Sequence, residues 1–303
     1  MDPFWRLIVP ATTQQKSLMD IHPRELKSFV GDLPTLPIVF QELFTRMQDP
    51  NAQVSELAEI IAKDPALTTK ILKLVNSAFY GQASQITTIS RAVIIMGFQA
   101  VRSAALGVSV MEQFKNLESA SEEFDIPSFW RHSIGVSCLA KQLSIVLSVN
   151  EPEDAFVAGL LHDVGKLIML QHFAEDVDDL TRAAAEQQLT WRACEEVLFP
   201  TNHASIARAL FRAWSFPANV VEAVSCHHNP EAASRHATLA SLVHVADFLS
   251  YHMECPCPGA VPPRTHAKDA AKLIDLTPDL AREALERATD ELDEALEILK
   301  LLD

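Results

Sequence analysis

Apolar residues recur three and four positions apart through almost every segment of this 303-residue chain, and they rarely alternate with polar ones. That spacing builds one face of an α-helix and does not suit a half-buried strand. The eight glycines are too few for the tight turns of a β-protein. The fold class expected is all-α. Helical patterns run through Val39 to Met47, Leu57 to Ile61, Leu67 to Val75, Ala92 to Met96 and from Val101 onward. Ser55 is the expected cap of the second helix and Ser90 that of the fourth, which breaks at Gly97. Asp64-Pro65 opens the third, with proline in the first turn, where its missing N–H does no harm. Leu33-Pro34-Thr35-Leu36-Pro37 reads as a rigid extended piece, since each proline fixes φ and keeps its predecessor out of the α region. Residues 1–24 read as a leader with a short helix.

Charge and composition exclude several function classes. A net charge of −15 disfavours a nucleic-acid surface, because phosphate contacts need clustered lysine and arginine. The two helices meeting at Asp64-Pro65 are therefore read as part of a bundle, with Lys63, Lys70 and Lys73 on a solvated face. No apolar run approaches the roughly 18 residues of a membrane span. The start Met1-Asp2-Pro3-Phe4-Trp5 lacks the basic region of a signal peptide. Five scattered cysteines suit a reducing compartment, so a cytoplasmic location is expected.

The chemistry concentrates around Gly159-Leu160-Leu161-His162-Asp163-Val164-Gly165-Lys166, read as the C-terminal part of a helix with Gly165 near its end. Imidazole, carboxylate and ammonium stand here within an apolar run, and buried ionisable groups are costly unless paired or bound to a metal. His132, His203, His227, His228 and Asp247 also lie near helix ends or in apolar helices. Each has an ordinary reading. His132 alone suits a core, and His203 follows two plausible caps, Thr201 and Asn202. His227 and His228 close a helix opening at Pro217, where the macrodipole favours imidazolium. His244 stands one turn before Asp247 and would satisfy it locally. Together, five histidines and two aspartates are explained more simply as one metal centre. Imidazole and carboxylate suit iron, manganese, zinc or nickel, and seven ligands exceed what one tetrahedral zinc takes. One or two divalent ions are expected, iron or manganese first, with Asp163 able to bridge a pair. Cys255 and Cys257, in a Pro-rich loop from His252 to His266, read as inert loop thiols. That loop is either a connection or a flap over the site. Thr277-Pro278 opens a C-terminal helix with a stripe of Ala281, Leu285, Ala288, Leu292, Leu296 and Leu299, which docks on the body or on a partner helix.

Four segments in order, Leu33 to Pro37, Asp64 to Leu67, Leu74-Val75-Asn76-Ser77-Ala78-Phe79-Tyr80-Gly81 and Ile86 to Gly97, resemble the HDOD domain, the HD-related output domain of bacterial signalling proteins. The resemblance extends over about residues 25–250. It implies an all-helical fold and a regulatory role exercised on a signalling partner. It also implies a layout of leader (1–24), N-terminal helical subdomain (25–115), HD-like subdomain (116–252) and C-terminal segment (253–303). The order His, His-Asp, Asp is similar to the HD phosphohydrolase superfamily, and His203 with His227-His228 looks like its HD-GYP branch. By that resemblance His132, His162, Asp163, His203, His227, His228 and Asp247 are metal ligands and Asp163 and Lys166 are catalytic. Lys166 would face the phosphate of a small-molecule ligand. Two positions depart from the pattern. Ser128 stands where the trinuclear members carry a glutamate, and Asn229-Pro230-Glu231-Ala232 replaces the Gly-Tyr-Pro segment after His228. The resemblance thus leaves two roles open, a regulator acting through protein contacts or a metal-dependent phosphohydrolase.

Overall fold

The computed structural model describes residues 53–76, 85–114, 123–258 and 267–296, with Leu18, Val39, Glu42, Leu43, Arg46, Leu117, Ser121 and Leu299 as isolated positions. All elements among these residues are helical. Apart from Leu18, the expected leader lies outside the described residues, as do the Leu33–Pro37 piece, the Ser77–Gly81 segment and the second half of the Pro-rich loop.

Local chemistry accounts for the N-terminal helices. α1 (Val54–Ala62) begins one residue before the expected cap. Ser55 is inside it, because Gln53 is the extended residue and the Glu56 carboxylate reaches back to the Gln53 N–H at 2.8 Å. α2 (Pro65–Val75) starts as read, with Asp64 accepting from the Leu67 N–H at 3.0 Å. It stops at Asn76, whose side chain pairs with both the N–H and the carbonyl of Ile86 at 2.7 Å, so the segment leading to the next helix is tied down. α3 (Ile89–Met96) is capped by Thr88, two residues before the expected Ser90, through a 3.2 Å bond from the Arg91 N–H. Gly97 ends it at φ +87°, a conformation that costs other residues strain, and so lets α4 (Phe98–Gln113) leave in a new direction. Lys63 pairs with Glu42 and Lys70 with Glu112, so two of the three basic residues here are committed within the protein rather than gathered for phosphate.

α4 is buried on nearly every side and links this bundle to the rest. It packs on α2 and on α6 (Pro152–Leu161), and Arg102 of α4 forms an ion pair with Asp154 in the first turn of α6. α5 (Ile126–Leu147) is the long central helix, opened by Asp125 accepting from the Ser128 N–H at 2.8 Å. α6 lies along it, and Phe156, Leu160 and Leu161 are each no more than 2% exposed. Burying each such side chain is worth about 2 kcal/mol relative to leaving it in water.

The chain does not run on as one helix through His162-Asp163. α6 ends at Leu161 and α7 (Val164–His172) begins after a turn, so Gly165 stands at the start of a helix rather than near the end of one. Both helices are apolar nearly all round, which is why the sequence reads as continuous. α8 (Ala174–Gln187), α9 (Trp191–Leu198) and α10 (His203–Ala213) fold back over α7. α11 (Ala218–Cys226) and α12 (Ala237–Ser250) close the site against α6 and α5. α13 (Ala267–Leu273) packs on α12, and α14 (Pro278–Leu296) on α5. The body-docking reading of the last helix holds, with its stripe turned: Ala284, Ala288, Leu292 and Ala295 are buried, and Gln142 of α5 donates to Glu291 at 2.7 Å. One hydrophobic cluster runs through residues of both expected subdomains.

Candidate metal centre

The site is assembled from helix ends. His132 projects from the second turn of α5, His162 and Asp163 form the turn between α6 and α7, and Lys166 stands on the first turn of α7. His203 is the first residue of α10, and Asn202, not Thr201, is its cap, accepting from the Ser205 N–H at 2.9 Å. His227 caps the C-terminus of α11, His228 follows, and Asp247 lies on α12. All seven expected ligands come to one place. His132, His162, His203 and His227 are fully buried, and Asp163 is 2% exposed.

Asp163 is the hub, and its two oxygens face different histidines. Oδ1 lies 3.1 Å from His203 Nε2 and 3.7 Å from His227 Nε2. Oδ2 lies 3.4 Å from His162 Nε2 and 3.9 Å from His132 Nε2. Asp247 Oδ1 adds a further carboxylate 3.4 Å from His132 Nε2. His228 Nε2 is 2.9 Å from His203 Nε2. Asp163, His203, His227 and His228 thus form one group able to surround an ion, and His132, His162 and Asp247 form a second.

The imidazoles are also held in one orientation. His132 Nδ1 is 2.8 Å from the Cys255 carbonyl, His162 Nδ1 2.7 Å from the Gly159 carbonyl and His227 Nδ1 2.7 Å from the Val224 carbonyl. A carbonyl only accepts, so each Nδ1 carries the proton and donates it. His203 Nδ1 donates in the same way to Glu195 Oε2 at 2.7 Å. All four Nε2 lone pairs are left pointing inward, the tautomer and aim that a metal requires. Among the described residues His132 Nε2, His162 Nε2 and Asp163 Oδ1 are buried with no hydrogen-bond partner, an arrangement that costs free energy unless something binds there. The donor set therefore fits a divalent cation.

The buried charges shift the titration of these groups in both directions. Burial opposes the charged form of Asp163, yet the charges of His162, Lys166 and His203 hold its carboxyl well below the usual carboxylate range. Burial likewise opposes protonation of His203, but Glu195 and Asp163 raise its pKa above that of a free histidine. His227 and His228 go the other way, pushed well down by burial and by neighbouring imidazoles.

Three placements differ from the reading of the sequence. His244 does not serve Asp247; its Nδ1 lies 2.6 Å from the carbonyl of His227 and fixes that backbone, while Asp247 turns to His132. Lys166, which the resemblance would turn toward a ligand phosphate, is 3% exposed and engaged within the protein. Its ammonium donates to Asp163 Oδ2 at 2.5 Å and to Cys257 Sγ at 3.1 Å, and lies 5.1 Å from the centre of the Trp191 ring. Cys257, expected to be an idle loop thiol, is buried against the hub, and burial pushes its pKa up to about 12. One residue was missed altogether. Glu195 is fully buried, and beyond its bond to Nδ1 it accepts from the His203 backbone N–H at 2.9 Å. Trp191, one turn earlier on α9, packs edge-on against Phe124 at 5.6 Å and helps seat the helix that aims Glu195.

The HDOD domain family profile matches residues 33–230. The chain belongs to the HDOD family. An uncharacterized protein of Treponema pallidum is 24% identical over 264 residues, covering 86% of this chain. The match spans only 50% of that relative's length. Among solved structures, an HDOD domain protein of unknown function from Geobacter sulfurreducens is 26% identical, with a TM-score of 0.71 over 93% of this chain and 96% of its own. A Shewanella amazonensis protein provisionally named a phosphohydrolase has a TM-score of 0.72 at 24% identity, covering 92% of this chain and 98% of its own. A Marinobacter aquaeolei protein provisionally named a signal-transduction protein has a TM-score of 0.74 at 20% identity, covering 96% of this chain and 62% of its own. These two likenesses establish the shared helical fold. Among the described residues no helix is long and apolar enough to cross a membrane.

Proposed function

We propose that this HDOD protein is a cytoplasmic regulatory module whose state is set by a divalent metal at the Asp163 centre and passed on through protein contacts. The single observation behind this reading is the inward aim of four Nε2 lone pairs around both oxygens of one buried carboxylate. His203, His227, His228 and Asp163 would hold the first ion; His132, His162 and Asp247 would hold a second. Two features favour regulation over turnover. Lys166 is drawn into an internal ion pair with Asp163 instead of standing free for a substrate. The α6 helix joins the centre directly to the N-terminal bundle through Arg102 and Asp154. Ile94 and Ile95 on α3 are 77% and 42% exposed and supply apolar surface for a signalling partner. Five free cysteines suit the reducing compartment.

Metal content of the freshly purified chain is the test. One or two ions per chain are expected in wild type and in Lys63→Ala, and none in Asp163→Ala. Hydrogen exchange with and without metal reads the second half of the proposal, with protection expected along α6 as far as Asp154. A chain that neither retains nor takes up zinc, iron or manganese refutes it.

The phosphohydrolase reading is favoured by a different observation, the two separate histidine groups on the two oxygens of Asp163. A metal pair there would acidify a bound water and stabilise charge on a phosphoryl oxygen. Asp163 would orient both ions, and Lys166, once released, would meet the phosphate of a small-molecule ester. Chain loaded anaerobically with iron or manganese and screened against nucleotides and phosphodiesters decides it. Turnover lost in Asp163→Ala establishes an enzyme.

A further inference from the structure

The segment that follows α12 takes part in the centre twice. A 3₁₀ turn at Tyr251–Met253 leads into Glu254 to Pro258. Here the Cys255 N–H donates to the Ser250 carbonyl at 3.2 Å, and the Cys255 carbonyl accepts from His132 Nδ1 at 2.8 Å. The same residue packs on α5 at Gly135, where an added Cβ would come within 3.0 Å of Cys255 Cβ. The segment is therefore fixed to the helix that carries His132. Two residues on, Cys257 Sγ lies 3.7 Å from Asp163 Oδ2 and 3.1 Å from Lys166 Nζ. His132, Asp163 and Cys257 each offer one ligand atom, all within 4.8 Å of one another, and all three residues are buried. His132 Nε2, aimed into this corner, has no hydrogen-bond partner.

From this corner we infer that Cys257 is a thiolate ligand of the metal centre, joining His132 and Asp163 on the Oδ2 side. The inference rests on the metal-holding reading above and specifies the metal. As the sulfur–metal bond forms, the Sγ–H proton leaves to solvent, and Lys166 N–H continues to donate to the thiolate. No oxidation or reduction is involved. A thiolate among imidazoles selects zinc or ferrous iron and disfavours manganese and magnesium, which prefer an all-oxygen shell. The order of preference expected from imidazole and carboxylate alone, with manganese beside iron, is thereby revised.

Cobalt(II) titrated into the full-length chain provides the probe, read in the near ultraviolet. A sulfur-to-cobalt charge-transfer band is expected in wild type and in Cys255→Ser. In Cys257→Ser the band is absent while the visible bands of cobalt on histidine persist. Because a serine variant can lose its fold, wild type is read independently by alkylation with iodoacetamide and mapping of all five cysteines. Zinc is expected to slow modification of Cys257 at least tenfold and to leave Cys226 unaffected. Bound cobalt without the charge-transfer band, with Cys257 alkylated equally fast with and without zinc, overturns the thiolate ligand and leaves the histidine centre standing. A chain that binds neither cobalt nor zinc overturns both.

Discussion

Gly165 is the position at which the packing and the metal centre can be tested together. It stands on the first turn of α7, against the start of α10, and an added Cβ would lie 2.0 Å from the His203 carbonyl oxygen and 2.6 Å from its carbonyl carbon. Backbone atoms have no rotamer to change, so in Gly165→Ala the two helices must separate by more than 1 Å, taking ordinary contact as about 3.4 Å. Overpacking of this kind costs about 3 kcal/mol. For a chain of this size that lowers Tm by about 5 °C. The displaced residue is His203, whose Nε2 lies 3.1 Å from Asp163 Oδ1, so metal held by the Oδ1 group should weaken along with the fold. Gly97→Ala separates the two effects. Gly97 has no atom within 4 Å of an added Cβ but sits at φ +87° and ψ 161°, a region nearly restricted to glycine, so Gly97→Ala should lose about 2 kcal/mol through backbone strain and keep its metal. Thermal unfolding and zinc titration on both variants make the comparison. A Gly165→Ala protein with unchanged Tm and unchanged zinc affinity would refute the packing argument and the placement of His203 at once.

Other outcomes follow from single residues. Glu195→Gln puts an amide N–H against a His203 donor, and zinc affinity by calorimetry should fall about 10–100-fold with the helical circular dichroism preserved. Lys166→Met leaves the Asp163 carboxylate without its ammonium, so chemical denaturation should show a loss of about 3 kcal/mol in the metal-free chain and a smaller one with zinc bound. Glu222 is held at a pKa of about 2 despite some burial, because its carboxylate accepts from Ser234 Oγ and from the N–H groups of Ser234, Arg235 and His236. Its folded pKa is depressed, so its contribution is complete above pH 4.5 and is lost as pH falls toward 2. After allowance for solvent screening that contribution is about 2 kcal/mol, and urea unfolding of Glu222→Gln should show a flatter dependence over this window than wild type.

The parts of this protein legible beforehand are those governed by neighbours in the chain. Asp64 before Pro65, Asn202 before His203 and Gly97 after Met96 act within one turn of themselves, and the structure has each in the expected place. The ligand types were legible because buried histidines and aspartates need an explanation wherever they fall. What escaped depends on residues distant in sequence. Glu195 belongs to an amphipathic helix whose charged positions look solvated, and the packing of α9 on α8 and on Phe124 carries it inward. Cys257 sits in a proline-rich loop with no periodicity to read, and it faces Lys166 across 91 positions. The turn at His162-Asp163 was hidden because the two helices it joins are both apolar nearly all round.

The ion pair between Arg102 and Asp154, reinforced by Asn219 Nδ2 at 2.7 Å from the same carboxylate, bears on how the protein can be divided. Trimming the chain back to the histidine-bearing helices would strand Asp154 with half its partners and uncover Leu160, two residues from His162. A shortened version that fails to take up zinc would then say nothing about the ligands themselves. Anyone reconstituting this centre should begin upstream of α4, treating the amino-terminal bundle as the far wall of the same chamber.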